Sequence, residues 1–136
     1  MIKVQNLHKS YGNVEVLKGI NIEIQDGEVL AIIGPSGSGK STFLRCLNFL
    51  EVAEKGIIEI DGAIVNLEKR KKAQISAIRG KTGMVFQSYN LFKNKTALEN
   101  VSEPLRLTKK IAKPEAQKKA YQLLADVGLK GKELNY

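Results

Sequence analysis

Ile2-Lys3-Val4-Gln5-Asn6-Leu7 opens the chain with alternating apolar and polar positions, the period-two pattern of a half-buried strand. A longer alternation runs from Val16 to Ile24, with Leu17, Ile20, Ile22 and Ile24 apolar and Asp26-Gly27 turning the chain behind it. Val29-Leu30-Ala31-Ile32-Ile33 is apolar without alternation, which predicts a central parallel strand covered on both faces. Phe43 to Leu50 can continue as a helix. Ile57-Ile58-Glu59-Ile60, Asp61-Gly62 and Ala63-Ile64-Val65 together predict a β-hairpin around a two-residue turn. Leu67 to Ile78 reads as a basic helix, and Thr82 to Phe86 as a short strand. Thr96-Ala97-Leu98-Glu99 fits a capping box opening another helix. A last helix starts near Pro114, at a favoured first helical position, with Glu115 complementing the helix dipole. Its apolar stripe is Ala120, Leu123, Leu124 and Val127, and Gly128 is its stop. Strands fill the first half and helices the second, an α/β balance without internal repeats.

Between the apolar run and the first helix lies Gly34-Pro35-Ser36-Gly37-Ser38-Gly39-Lys40-Ser41-Thr42, which fits G-x-x-x-x-G-K-[ST]. Strand, glycine loop and helix are the context that this phosphate-cradling motif requires. The glycines allow backbone conformations that a side chain forbids and let the backbone approach phosphate closely. Successive N–H groups then form an anion-binding nest, reinforced by the positive end of the helix dipole. Lys40 supplies a full charge to the β- and γ-phosphates, and the Ser41 hydroxyl suits Mg²⁺, a cation that takes oxygen ligands. Nucleoside triphosphate binding is the leading reading, against a serine- and glycine-rich turn with an adjacent lysine.

Composition narrows the alternatives. The 136 residues make one domain or part of one, and 22 basic against 14 acidic residues leave a net charge of +8. Much of that excess lies in Lys69-Arg70-Lys71-Lys72, Lys109-Lys110 and Lys118-Lys119, on expected helices whose basic faces are solvated. No aromatic residues interleave with these runs as stacking platforms, so nucleic acid is not the expected partner. Cys46 is the single cysteine and His8 the single histidine, which excludes a disulfide framework and zinc spacing. Cys46 reads as a small buried hydrophobe in a reducing compartment. No signal-peptide core or membrane-spanning apolar run is present.

Three apparent motifs fail on context. Leu123-Leu124-Ala125-Asp126 imitates a Walker B strand, but its helical spacing favours a helix. Ile57 to Asp61 imitates it too, yet Asp61-Gly62 is better read as a turn. Asn94-Lys95-Thr96-Ala97 places alanine where a guanine-reading motif has aspartate, and no D-x-x-G accompanies it, so a GTPase is disfavoured.

Taken in order, these features resemble the ATP-binding subunits of ABC transporters over essentially the whole chain. Tyr11 of Ser10-Tyr11-Gly12 stands 34 − 11 = 23 residues before Gly34, where that family carries the aromatic that stacks on adenine. Val16 matches the small apolar residue bordering the nucleotide, and Asp26-Gly27-Glu28 precedes the P-loop strand as is common there. Met84-Val85-Phe86-Gln87 is similar to the strand leading into the Q-loop, which implies that Gln87 reaches the metal and attacking water and senses the membrane subunit. Leu91-Phe92 and Thr96 to Val101 resemble the opening of the helical subdomain, while Lys93 stands where many relatives carry proline. Leu44-Arg45-Cys46-Leu47-Asn48 and Leu50-Glu51 are similar to importers of polar amino acids.

The resemblance implies a P-loop NTPase of ABC ATPase type: an N-terminal antiparallel β subdomain, a partial parallel-sheet core, and the start of the helical subdomain. Residues 1–95 would hold the first two and 96–136 the third. It also implies ATP and Mg²⁺ as ligands. Membrane-spanning permease subunits and a second ATP-binding subunit would be partners, with an external solute-binding protein engaged indirectly, at the cytoplasmic face of the cell membrane. The family's Leu-Ser-Gly-Gly-Gln signature, its Walker B aspartate with adjoining glutamate, and its switch histidine do not occur in these residues. The chain therefore reads as the N-terminal part of a longer subunit, able to cradle phosphates, incomplete for cleaving them, and poorly soluble or molten alone. A non-catalytic binding remnant is the alternative. A small-molecule kinase fits less well, since its P-loop usually lies near the N-terminus.

Overall fold

In the computed structural model, which describes residues 1–136, the opening alternation folds as strand β1, Ile2–Tyr11, antiparallel to β2, Val14–Ile24. The other edge of β1 pairs with β3, Lys55–Ile60, which returns as β4, Ala63–Asn66, giving the sheet order β2-β1-β3-β4. The β3–β4 turn is the Asp61-Gly62 pair, at φ 47° and 77°. Two positive φ values are what a two-residue type I′ hairpin demands.

Strand β1 does not keep the strict alternation of its sequence. Val4 and Leu7 both enter the core, three positions apart, because the register slips between them and Asn6 takes a φ of 50°. A bulge inserts one residue and re-aims the side chains that follow it. Leu7 and Lys9 are consequently the buried pair beyond the slip.

Helix α1, Lys40–Leu47, covers the sheet with Phe43 and Cys46, and Phe49 and Ala53 extend the apolar contact behind it. The expected helix from Leu67 to Ile78 is interrupted. Leu67–Lys69 forms one 3-10 turn, the chain extends at Arg70 and Lys71, and α2 then runs Lys72–Lys81. Leu67 and Ile78 are both buried with Val65, Ile58 and Ile60 in one core.

Two segments depart from the expected parallel core. Val29 to Ile33 and Thr82 to Phe86 form no β-ladder with any part of the chain. Val29 is 96% and Val85 97% exposed. An apolar run becomes a buried parallel strand only when neighbouring strands and covering helices accept its hydrogen bonds and both its faces. Within these residues every ladder is antiparallel.

By compactness the chain divides into Met1–Val85 and Phe86–Tyr136, whereas the functional division at 95/96 remains a proposal. In the second unit α3, Ala97–Lys109, packs on α4, Lys113–Asp126. Residues preceding α3 are bound to it through Asn100. Its side-chain oxygen accepts from the Phe92 N–H at 2.8 Å, and its amide donates to the carbonyls of Phe92, Lys95 and Thr96. The stripe of α4 that packs is Ala116, Ala120 and Leu124, at fourfold spacing. Leu123 and Val127, expected in that stripe, are exposed, as is usual for residues beside a narrow helix-helix seam. Val127 closes the helix and Gly128 follows at φ 77°, the stop read from sequence. The helical state of Leu123 to Asp126 removes it as a Walker B strand.

Candidate nucleotide-binding site

Residues Gly34, Pro35, Ser36, Gly37 and Ser38 form an exposed loop whose Ser38 N–H donates to the Pro35 carbonyl at 3.3 Å. Gly39 is the N-cap of α1 at φ 90°, and Lys40, Ser41 and Thr42 form the first helical turn. A Cβ on Gly39 would lie 2.9 Å from Val16 Cγ1 and 3.2 Å from Leu17 Cδ2. Only glycine satisfies both the left-handed backbone and this approach to β2. The structure thereby seats Val16 directly against Gly39 of the loop.

No side chain caps α1, and its first turn contains no acidic residue. The first N–H groups of a helix have no intrahelical partners, so an uncapped N-terminus offers donors and positive dipole to an anion. Lys40 Nζ folds back over the loop and donates to the Gly34 and Pro35 carbonyls at 2.8 and 2.7 Å, with Ser38 Oγ at 3.4 Å. No carboxylate pairs with it. An ammonium held only by neutral oxygens keeps its charge available to phosphate. The donor set fits a polyphosphate. Ser41 is exposed on the same turn, and no cluster of acidic or histidine side chains competes as a metal site.

Tyr11, 45% exposed, ends β1, and Lys9 Nζ lies 4.9 Å from its ring centroid. Sequence reasoning passed over Lys9 because its partner, Glu54, is 45 residues distant. Lys9 Nζ donates to Glu54 Oε1 at 2.8 Å, and the Ser10 N–H donates to Glu54 Oε2 at 2.9 Å. The Glu54 hydrogen bond raises the Lys9 pKa against the opposing effect of burial. Burial likewise opposes the charge of Glu54, but the bonds from Lys9 and Ser10 outweigh it and hold the carboxyl below its ordinary value. Nearby, burial pushes the Cys46 thiol up to about 11, which makes it the inert core residue expected. Gln87 lies in the second unit, exposed in a bend just after Phe86.

The family profile described as ABC transporter matches residues 17–135. The chain belongs to the ABC transporter family. Among its relatives, the probable amino-acid import ATP-binding protein YxeO of Bacillus subtilis is 49% identical over the whole chain, which covers 55% of that protein. The L-cystine import ATP-binding protein TcyN of the same organism is 48% identical over 97% of the chain and 51% of its own length. The histidine/lysine/arginine/ornithine transport ATP-binding protein HisP of Escherichia coli is 44% identical over 94% of the chain and 53% of its own length. This ABC transporter chain thus spans about half the length of the curated relatives it matches. Its fold is similar to the ATP-binding cassette MJ0796 in a dimeric, post-hydrolysis state bound to ADP and Pi. That similarity has a TM-score of 0.81 at 34% identity, covering all of this chain and 61% of the other.

Proposed function

We propose that the chain binds Mg-ATP through Gly34 to Thr42 as the nucleotide-holding part of an amino-acid importer's ATP-binding subunit. The observation that carries this reading is the uncapped, acid-free start of α1 beneath a lysine that has no carboxylate partner. In it, N–H groups of the loop bind the phosphates, Lys40 neutralises their charge, and Ser41 would ligate Mg²⁺; a role for Gln87 toward the metal and attacking water rests on the family resemblance alone. Val16 borders the nucleotide and Tyr11 stacks on the base. Bound Mg²⁺ would supply Lewis-acid charge neutralisation at the phosphates. Polar amino acids as cargo follow from the names of the relatives, which include importers of cystine and of basic amino acids. The partners in this reading are membrane-spanning permease subunits and a second ATP-binding subunit at the cytoplasmic membrane face. A solute-binding protein would act through the permease. No helix of this chain is itself long and apolar enough to cross a membrane.

Binding is testable by competition with a ribose-labelled fluorescent ATP at low protein concentration. Lys40→Ala should weaken Mg-ATP tenfold or more, about 1.4 kcal/mol per decade. Equal affinity in the two proteins would overturn the assignment. Turnover by the 136-residue chain alone should stay at background, because no residue among those assembled here is placed as general base to polarise water. Hydrolysis at about 1 s⁻¹ or faster, abolished by Lys40→Ala, would contradict that expectation.

A further inference from the structure

Lys9 is a buried cation at the edge of the proposed base site. It is 8% exposed, although lysine is almost never buried unless paired. Its ammonium is fixed on one side by Glu54 at 2.8 Å, with Glu51 at 4.0 Å, and on the other it lies over the Tyr11 ring. Glu54 is itself anchored to the same strand, since it accepts from the Ser10 N–H and its own N–H donates to the His8 carbonyl at 3.0 Å. No buried side-chain nitrogen or oxygen lacks a partner. These contacts make a chain of fixed groups running from β1 through a carboxylate and an ammonium to the face of an otherwise half-exposed phenol.

We propose that Lys9, aimed by Glu54, is a positioning residue that holds the Tyr11 ring as the stacking platform for the base of a bound nucleotide. The inference rests on the nucleotide reading above and adds to it the residues that orient the ring. An ammonium over an aromatic face is attracted by the ring quadrupole, which favours one ring orientation over the free rotation of an exposed tyrosine. The bulge at Asn6 is what brings the lysine inward, because it places Leu7 and Lys9 at successive buried positions of β1. The cation holds its charge through neutral pH, since the Glu54 hydrogen bond raises its pKa.

A platform acts on the base and leaves the phosphates alone, so two ligands separate this role from a general structural one. Affinities for Mg-ATP and for inorganic tripolyphosphate are measured in the native chain, Lys9→Met, Lys9→Arg, Glu54→Gln, Tyr11→Ala, Lys40→Ala and the Lys9→Met/Tyr11→Ala double variant. Lys9→Met should weaken ATP roughly three- to thirtyfold while tripolyphosphate binding is unchanged. Lys9→Arg should retain ATP affinity, and Lys9→Met should cause no further loss once Tyr11 is alanine. Glu54→Gln, which keeps the size of the side chain, should show the same ATP-only loss in smaller degree. It decides the matter if Lys9→Met does not fold. Unchanged ATP affinity, an equal loss for both ligands, or an additive loss in the double variant would overturn the role of Lys9. If Lys40→Ala weakens both ligands while Lys9→Met weakens neither, the nucleotide reading stands and only this inference falls. If the native chain binds neither ligand, both fall.

Discussion

Gly56 lies across from the bulge in β1, where a Cβ would come within 2.8 Å of the Gln5 and Asn6 carbonyl oxygens and 2.9 Å of the Leu7 Cα. Its φ of 119° is one that side chains rarely adopt, so strain and collision act together. Backbone atoms cannot rotate away as a flexible side chain would. Gly56→Ala should therefore cost about 2 kcal/mol or more, a fall in melting temperature of about 7 °C or more for a chain of 136 residues. Thermal denaturation followed by circular dichroism checks this, and an unchanged transition would count against it. The same glycine gave no signal in the sequence, where it reads as one more residue before a strand. By contrast Gly39 was legible in the motif itself, and the structure adds the reason in its 2.9 Å approach to Val16.

At the scale of elements, local chemistry was the most readable part of the chain. Thr96 caps α3 as its sequence implied: the hydroxyl accepts from the Glu99 N–H at 3.2 Å, and Glu99 Oε2 accepts from the Thr96 N–H at 2.9 Å. Thr96→Ala should cost about 1 kcal/mol, while Thr96→Ser should be nearly neutral because serine retains the acceptor. Urea titration of the helical signal should show the alanine midpoint lowered and the serine midpoint unchanged, and coincident midpoints would refute the cap. Tertiary contacts also act on that helix end. The Ala97 and Leu98 N–H groups donate to the carbonyls of Asn135 and Glu133, each at 2.8 Å, from residues nearly forty positions along the chain. Helix α3 continues through Pro104 to a left-handed Lys110, at φ 52°, an ending without the glycine that would have announced it.

For the molecule as a whole, the exposed apolar runs dominate the expected behaviour. Ile33 is 90% exposed beside the P-loop, and Val29 and Val85 are more exposed still. A cleft of about 520 Å³ in the first unit is lined by Ile2, Ile24, Leu44, Leu47, Met84 and Val85 among others, and contains no P-loop residue. Exposed apolar side chains of this kind favour association, as do backbone N–H and C=O groups without ladder partners. The isolated 136-residue chain should bind the dye ANS and self-associate with rising concentration in sedimentation velocity. A dye-negative sample that stays monomeric as its concentration rises would show the surface to be harmless.

Sequence by itself determined the elements whose cause is local: the existence of strands β1 and β2, the Asp61-Gly62 hairpin, the Thr96 cap, the Gly128 stop, and the glycine loop with its helix. Each is set by residues within a few positions of one another, where backbone preference and side-chain reach suffice. Tertiary structure decided what depends on distant partners. It withheld strand pairing from Val29 to Ile33, because an apolar run cannot form a ladder alone. It turned Leu7 and Lys9 inward through a bulge accommodated by Gly56. It also set Glu54 against Lys9, since a charge can be buried only where the fold brings its counter-charge within hydrogen-bonding distance.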